Sequence, residues 1–173
     1  MLTWLEFSEA RPDIAGPGEK LLYQFGLGLG FIATVRRDGG PRVHPICPHI
    51  HEGHLYFFAV GTSPKRYDLD RDGRYALHAF PPAENDDEFY CAGKATAITD
   101  PSLRHRIAGL AKHSVQDDEV LYELRIDRAL HTTWENPRQP DTRAIKTKWT
   151  RALPRQSRGT AREGREEIDR GEA

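Results

Sequence analysis

Two hydroxyls, a proline and two cations stand in a row at Thr62-Ser63-Pro64-Lys65-Arg66. The chemistry this segment serves best is the binding of a phosphate group. An apolar strand-like run over residues 54–60 leads into it, and a short charged helix follows to about residue 72, where Gly73 ends it. Ser63 suits the N-cap and Pro64 the first helical position, where a missing N–H removes no bond. A helix N-terminus leaves backbone N–H groups free and carries partial positive charge. Lys65 and Arg66 add full charges, and an arginine grips two phosphate oxygens at once. An ordinary capped helix with a solvated basic first turn uses the same residues. The pattern is also less specific than a Walker loop.

A second candidate group is Arg42, His44 and Pro45. Alternate residues of a strand share a face, so Arg42 and His44 lie on one side. Pro45 cannot donate to a ladder, so this segment needs an edge, a bulge or a ligand beside it. A surface arginine and a half-buried histidine are the plainer reading of the same pair.

Eight histidines are present, and His44, His49, His51 and His54 fall close together. They lack the carboxylate or thiol companions of a zinc or iron site at usable spacing, so no metal is expected. Cys47 and Cys91 show no CxxC spacing and read as reduced, mostly buried thiols. Nothing supports a Ser-His-Asp or Cys-His arrangement. Asp86-Asp87 and Asp117-Asp118 read as solvated turns.

Placing these residues requires a mostly antiparallel sheet. Helices are expected over 3–10 and 18–25. Gly26-Leu27-Gly28-Leu29-Gly30 follows a helix and opens a strand, the reverse of a Rossmann glycine loop. Strands are expected over 31–36, 42–47, 54–60, 74–80, 88–99 and 119–135, with a short last one near 143–149. Asp38-Gly39-Gly40 is a hairpin turn. A further helix starts at Asp100-Pro101, with Leu103, Ile107, Leu110 and Ala111 as its apolar stripe. Val120, Tyr122, Leu124 and Ile126 alternate with polar residues, a strand period of two.

The chain has 173 residues and a net charge of −1. The length fits one domain over residues 1–150, and residues 151–173 read as a charged, disordered tail. The charge balance gives no support to a general nucleic-acid binder. No apolar run is long enough for a membrane span, and the first residues show no secretory signal. A cytoplasmic protein is expected.

Three segments together, ATVRRDGGPRVHPI, LYFFAVGTSPKRYDLDRDGRYALHAF and EFYCAGKATAITDP, carry a family resemblance. In order and spacing the chain resembles the pyridoxamine 5′-phosphate oxidase-like family of flavin-binding split barrels. The resemblance covers residues 31–149. It implies a mainly β (α+β) fold, a six-stranded antiparallel split β-barrel with flanking short helices. It also implies a homodimer with its cofactor at the subunit interface. The cofactor it implies is FMN, with the deazaflavin F420 in some branches and haem in a few.

By the same resemblance Ser63 and Lys65 match the phosphate-contacting residues, and Arg42 matches an arginine of the second strand. Thr62 and Arg66 are their neighbours, and His44 and Pro45 lie where that strand passes the flavin ring. The implied function is an oxidoreductase moving a hydride between flavin and a small molecule. A non-catalytic flavin-binding or sensor protein, or a haem-binding member, is the alternative. Three departures stand out. Pro64 occupies the place of an arginine, no lysine closes the second strand near Cys47 and Pro48, and the C-terminal Trp-and-Arg signature is not evident around Trp149. Pyridoxamine phosphate is therefore not the expected substrate.

Overall fold

A computed structural model describes residues 1–83 and 85–152. The expected tail lies almost wholly outside the described residues. Two helices open the chain, α1 (Trp4–Ala10) and α2 (Pro12–Tyr23). Thr3 and Glu6 close a reciprocal capping box on α1. The second helix starts earlier than its apolar pattern indicates. Pro12 sits at its first position, where no N–H partner is needed.

Then come β1 (Gly30–Val35), β2 (Pro41–Ile46), β3 (Pro48–His51), β4 (His54–Ala59), α3 (Pro64–Arg71) and β5 (Arg74–Ala79). They are followed by β6 (Glu88–Ala97), α4 (Pro101–Leu110), β7 (Val120–Glu135) and β8 (Arg143–Thr150). The hairpin between β1 and β2 forms as expected, with Gly39 at φ 84° in its turn.

The sheet has eight strands, which corrects the expected count of six. Its hydrogen-bonded order is β2-β1-β5-β6-β7-β4-β3, with β8 paired to β7. All pairings between the strands are antiparallel. The class, mainly β with short helices, stands. Two strands lie beyond those six: β3, which was not expected, and β8, which forms where the short last strand near 143–149 was expected. The run over residues 41–51 breaks at Cys47 into β2 and β3, which pair at opposite ends of the sheet. The second late strand, β8, adds to the far half of β7.

The ladder does not close into a ring. Yet only Cys47 separates β2 from β3. Successive Cα atoms lie about 3.8 Å apart, so the two ends of the sheet must approach each other there. The sheet curls on itself and is joined through the chain at a seam where strand pairing stops.

The main core fills the inside of this curl and the space under α1 and α2. Phe7, Leu22, Ile32, Phe57, Leu77, Phe89, Leu124 and Ile126 are fully buried within it. Burying one such side chain contributes about 1.5–3 kcal/mol. A second, smaller cluster forms under α4, from Tyr56, Phe58, Ile107 and Leu121. Tyr122, Leu124 and Ile126 point into the main core as their alternation requires, while Leu121 serves the second cluster. At Gly93 a Cβ would meet the Arg125 carbonyl of the neighbouring strand at 1.9 Å. The β6–β7 register shifts at that point, between Ala92 and Gly93.

Candidate functional site

The segment Thr62–Arg66 lies at the junction of β4 and α3. Gly61 starts the turn and packs against the Asp118 carbonyl, which a Cβ there would approach to 2.6 Å. Ser63 takes the N-cap position in extended conformation, and Pro64 begins the helix. The Ser63 hydroxyl makes no capping bond. Instead it accepts from Lys65 Nζ at 3.2 Å, which leaves its own proton free for a ligand. That is the one hydrogen bond Lys65 Nζ makes among the described residues. Burial lowers the Lys65 pKa, against a smaller opposing pull from Glu119. Thr62 is exposed.

Arg66 is differently engaged. Its Nη1 donates to the Gly61 carbonyl at 3.3 Å. Its Nε lies 3.0 Å from Asp70 Oδ2, close enough to pair by charge, though not aligned for a hydrogen bond. The guanidinium also sits 5.2 Å from the centre of the Tyr67 ring. Asp70 in turn accepts from the Tyr122 hydroxyl.

Strand β2 runs along the open end of the sheet, bonded only to β1. Arg42 and His44 share its inner side, as the period of two requires, while Val43 and Pro45 are exposed on the other. The His44 Nε2 atom is buried and has no hydrogen-bond partner among the described residues. Burial lowers the His44 pKa, and the charges of Lys65 and Arg42 add to it against Asp68. Lys65, His44 and Arg42 thus form one electrostatic neighbourhood. The ring is kept neutral, with a buried nitrogen unpartnered.

Beneath Arg42 lies Asp68, a residue the sequence reading did not single out. Its carboxylate is 5% exposed and takes Arg42 Nε at 2.7 Å. Thr34 Oγ1 donates to the same oxygen at 3.0 Å, and Arg71 Nη1 lies 3.5 Å from the other. Burial pushes the Asp68 carboxyl up, but the bonds from Arg42 and Thr34 and the two guanidinium charges outweigh it and hold the pKa low. A cavity of about 400 Å³ opens beside this pair, lined by Arg36, Arg37, Asp38, Arg42 and Asp68.

The other histidines gather elsewhere. His49 stacks on His113 at 5.0 Å between ring centres and on His51 at 6.0 Å. Near-parallel rings aim their in-plane lone pairs past one another. Among the described residues no group of three or more His, Cys, Asp or Glu is arranged to hold a metal ion. His54 belongs to a separate contact, 2.7 Å from Glu123. Cys47 and Cys91 are both free. Burial raises the thiol of Cys47, with Glu119 adding to it, and pushes that of Cys91 up to about 12.

The fold these observations define is a curled antiparallel sheet that does not close, with short helices, a hydroxyl–lysine pair at a strand–helix junction and an arginine–histidine face on the adjoining end strand. The chain belongs to the pyridoxamine 5′-phosphate oxidase family, whose sequence pattern matches residues 25–151. No curated protein matches it.

Solved structures share the fold. A haem binding protein from Mycobacterium smegmatis is 17% identical, with a TM-score of 0.53 over 75% of this chain and 56% of that one. The chain therefore spans little more than half of that protein's length. A NimC/NimA family protein from Clostridium acetobutylicum is 14% identical, with a TM-score of 0.53 over 80% of this chain and 98% of the other. General Stress Protein 26 from Bacillus anthracis is 15% identical, with a TM-score of 0.53 over 80% and 99%.

Proposed function

We propose that this chain is a flavoprotein that holds FMN, or the deazaflavin F420, and acts as an oxidoreductase on a small molecule. The observation that carries the reading is Lys65. It is a half-buried ammonium whose one hydrogen bond among the described residues goes to the Ser63 hydroxyl, beside a histidine whose buried Nε2 has no partner among them. An anion with further acceptors would satisfy both groups at once. Ser63 and Lys65, through the Lys65 ammonium and its backbone N–H, would hold the phosphate, with Thr62 at its rim. Arg42, His44 and Pro45 would line the ring along β2. Arg66 would shape the turn through Gly61. When bound, the flavin supplies the hydride chemistry, and the chain supplies binding, orientation and local charge.

The substrate is read as something other than pyridoxamine phosphate, because Pro64 and the residues closing β2 bring no further cation. Haem is the second reading. The partnerless Nε2 of His44 favours it, since an imidazole nitrogen ligates iron. The absorption spectrum of the purified protein, with native mass spectrometry, tests both. A flavin or deazaflavin band supports the first reading, and a Soret band replaces it with the second. Reduction of the bound cofactor by a nicotinamide or by reduced F420, followed by substrate turnover, separates an enzyme from a flavin-binding sensor.

The protein is further read as a homodimer. On the outer face of β1 and β2, Val43 is 61% exposed and Phe31 38%. Pro45 pairs across the strands with Phe31, and Phe31 stacks on Phe80 at 4.3 Å. Contiguous exposed apolar surface of this kind is characteristic of an interface, and a second copy would cover it by symmetry. Among the described residues no helix is long and apolar enough to cross a membrane. The two free thiols support a reducing compartment, the cytoplasm.

A further inference from the structure

We infer that Asp68 is the positioning residue of the anion site, acting through Arg42; the inference rests on the reading of that site given above. Asp68 is buried beneath Arg42, with its side chain 5% exposed. It draws donors from three elements: Thr34 on β1, Arg42 on β2 and Arg71 on its own helix. Arg71 also donates to the Val35 carbonyl, which ties the helix to the end of β1.

The way Arg42 is held decides what it can do. Asp68 takes the guanidinium by Nε, at 2.7 Å. The terminal Nη1 and Nη2 make no hydrogen bond among the described residues. A guanidinium is planar, so fixing Nε sets the plane of the whole group and leaves its end-on pair of donors to grip an anion. Arg42 is 32% exposed and stands on an edge strand. Without the carboxylate its long side chain regains rotamer freedom, which a ligand must then freeze. Thr34 serves the same end. By donating to the oxygen that accepts Arg42 Nε, it fixes where that oxygen points.

A plain electrostatic view predicts the opposite behaviour. A buried negative charge beside an anion site repels the anion, so its removal would tighten binding. Positioning predicts that removal loosens binding although a repulsive charge has gone. The two views are told apart by Asp68→Ala, Asp68→Asn, Arg42→Ala and the Asp68→Ala/Arg42→Ala pair, titrated with FMN, F420 and inorganic phosphate.

The expected result is a loss of about tenfold or more in affinity for Asp68→Ala, the scale of one charged hydrogen bond. Asp68→Asn keeps an acceptor and rescues binding to within about threefold of the wild type. In the Arg42→Ala background Asp68→Ala adds nothing further. Unchanged or tighter binding by Asp68→Ala overturns the inference, as does a loss that persists in full without Arg42.

A measurement on the unliganded wild-type protein stands apart from ligand binding and from variant folding. The Nε–H of Arg42, assigned by its disappearance in Arg42→Lys, is expected to exchange slowly with solvent in a ¹H–¹⁵N spectrum. Exchange as fast as in exposed arginines overturns the inference. Wild-type protein that binds no cofactor and no phosphate overturns the function proposed above. In that case the slow Nε–H alone carries the statement that Asp68 holds Arg42.

Discussion

Acid should destabilise this fold through His49 before its carboxylates titrate. The ring is 4% exposed, lies between His51 and His113, and meets the edge of Phe58 at 6.1 Å. Its Nε2 has no hydrogen-bond partner among the described residues. Burial, with His113 and His51 adding to it, lowers its pKa from 6.5 to about 4. In the unfolded chain the same ring takes its proton near 6.5. Between those values the unfolded state binds more protons, so stability present above pH 6.5 is lost as the pH falls. One group contributes about 1.4 kcal/mol per pH unit, hence about 2 kcal/mol between roughly pH 6.5 and 5. For a chain of this size that is a fall in Tm of roughly 4–8 °C. The lowered pKa of His44 acts in the same direction. Asp72, at about 2, and Asp68 lose their contributions only at lower pH. The assay is urea unfolding across this window, for wild type and His49→Leu. The wild type should show the slope, and the variant should lose most of it. A wild type whose stability is flat from neutral pH to about 5, or a His49→Leu variant with the wild-type slope, would show that His49 does not carry this loss.

Three further outcomes are expected. Lys65→Ala should weaken cofactor binding by about 1–3 kcal/mol, the worth of a charged hydrogen-bond partner, read by titration with FMN or F420; unchanged affinity would place the phosphate elsewhere. Val43→Glu should convert the proposed dimer to monomer in sedimentation velocity while leaving the fold intact by circular dichroism, because this residue is 61% exposed in the single chain and charge is excluded from a packed apolar face; a wild type that is already monomeric would refute the proposed dimer. Gly93→Ala should cost on the order of 2 kcal/mol or more in denaturant unfolding, since its Cβ has only 1.9 Å to the Arg125 carbonyl and a backbone cannot swing aside as a flexible side chain does.

The placement of much of the candidate site was legible because its signals are local. A cap, a proline and two cations at a strand end define α3 to within a residue, and strict alternation places Arg42 with His44. Strand β3 was not, since four residues beginning with proline carry too little pattern. Its proline is tolerated because a first strand residue on an end strand needs no ladder donor. Asp68 was missed for a different reason. Asp68, Asp70 and Asp72 alternate through a charged helix, and composition alone reads all of them as solvated. A usable signal was there: Asp68 and Leu69 fall three and four residues after Lys65, on the helix face that turns inward. What sequence cannot supply is the partner. Thr34 and Arg42 reach Asp68 from 34 and 26 residues away, through the β1–β2 hairpin.

The location of the site follows from how the sheet is joined. Strands β2 and β3 belong to opposite ends of the hydrogen-bonded order, yet they are one run of chain interrupted only at Cys47. Such a connection brings two sheet ends together without pairing them, so unpaired backbone groups of β2 remain along the seam. An open strand edge of this kind invites pairing with other chains unless it is blunted or covered. Here Pro41 and Pro45 remove donors from β2, and α3 lies over its inner side through the Arg42–Asp68 pair. The same helix brings Ser63 and Lys65 to the far end of that strand, beside His44. A flat, anion-tailed ligand laid against β2 would therefore meet acceptors and donors that strand pairing leaves unused. The seam that prevents this sheet from closing is also where the proposed ligand would lie, and Asp68 sits at the point where seam, helix and hairpin are pinned together.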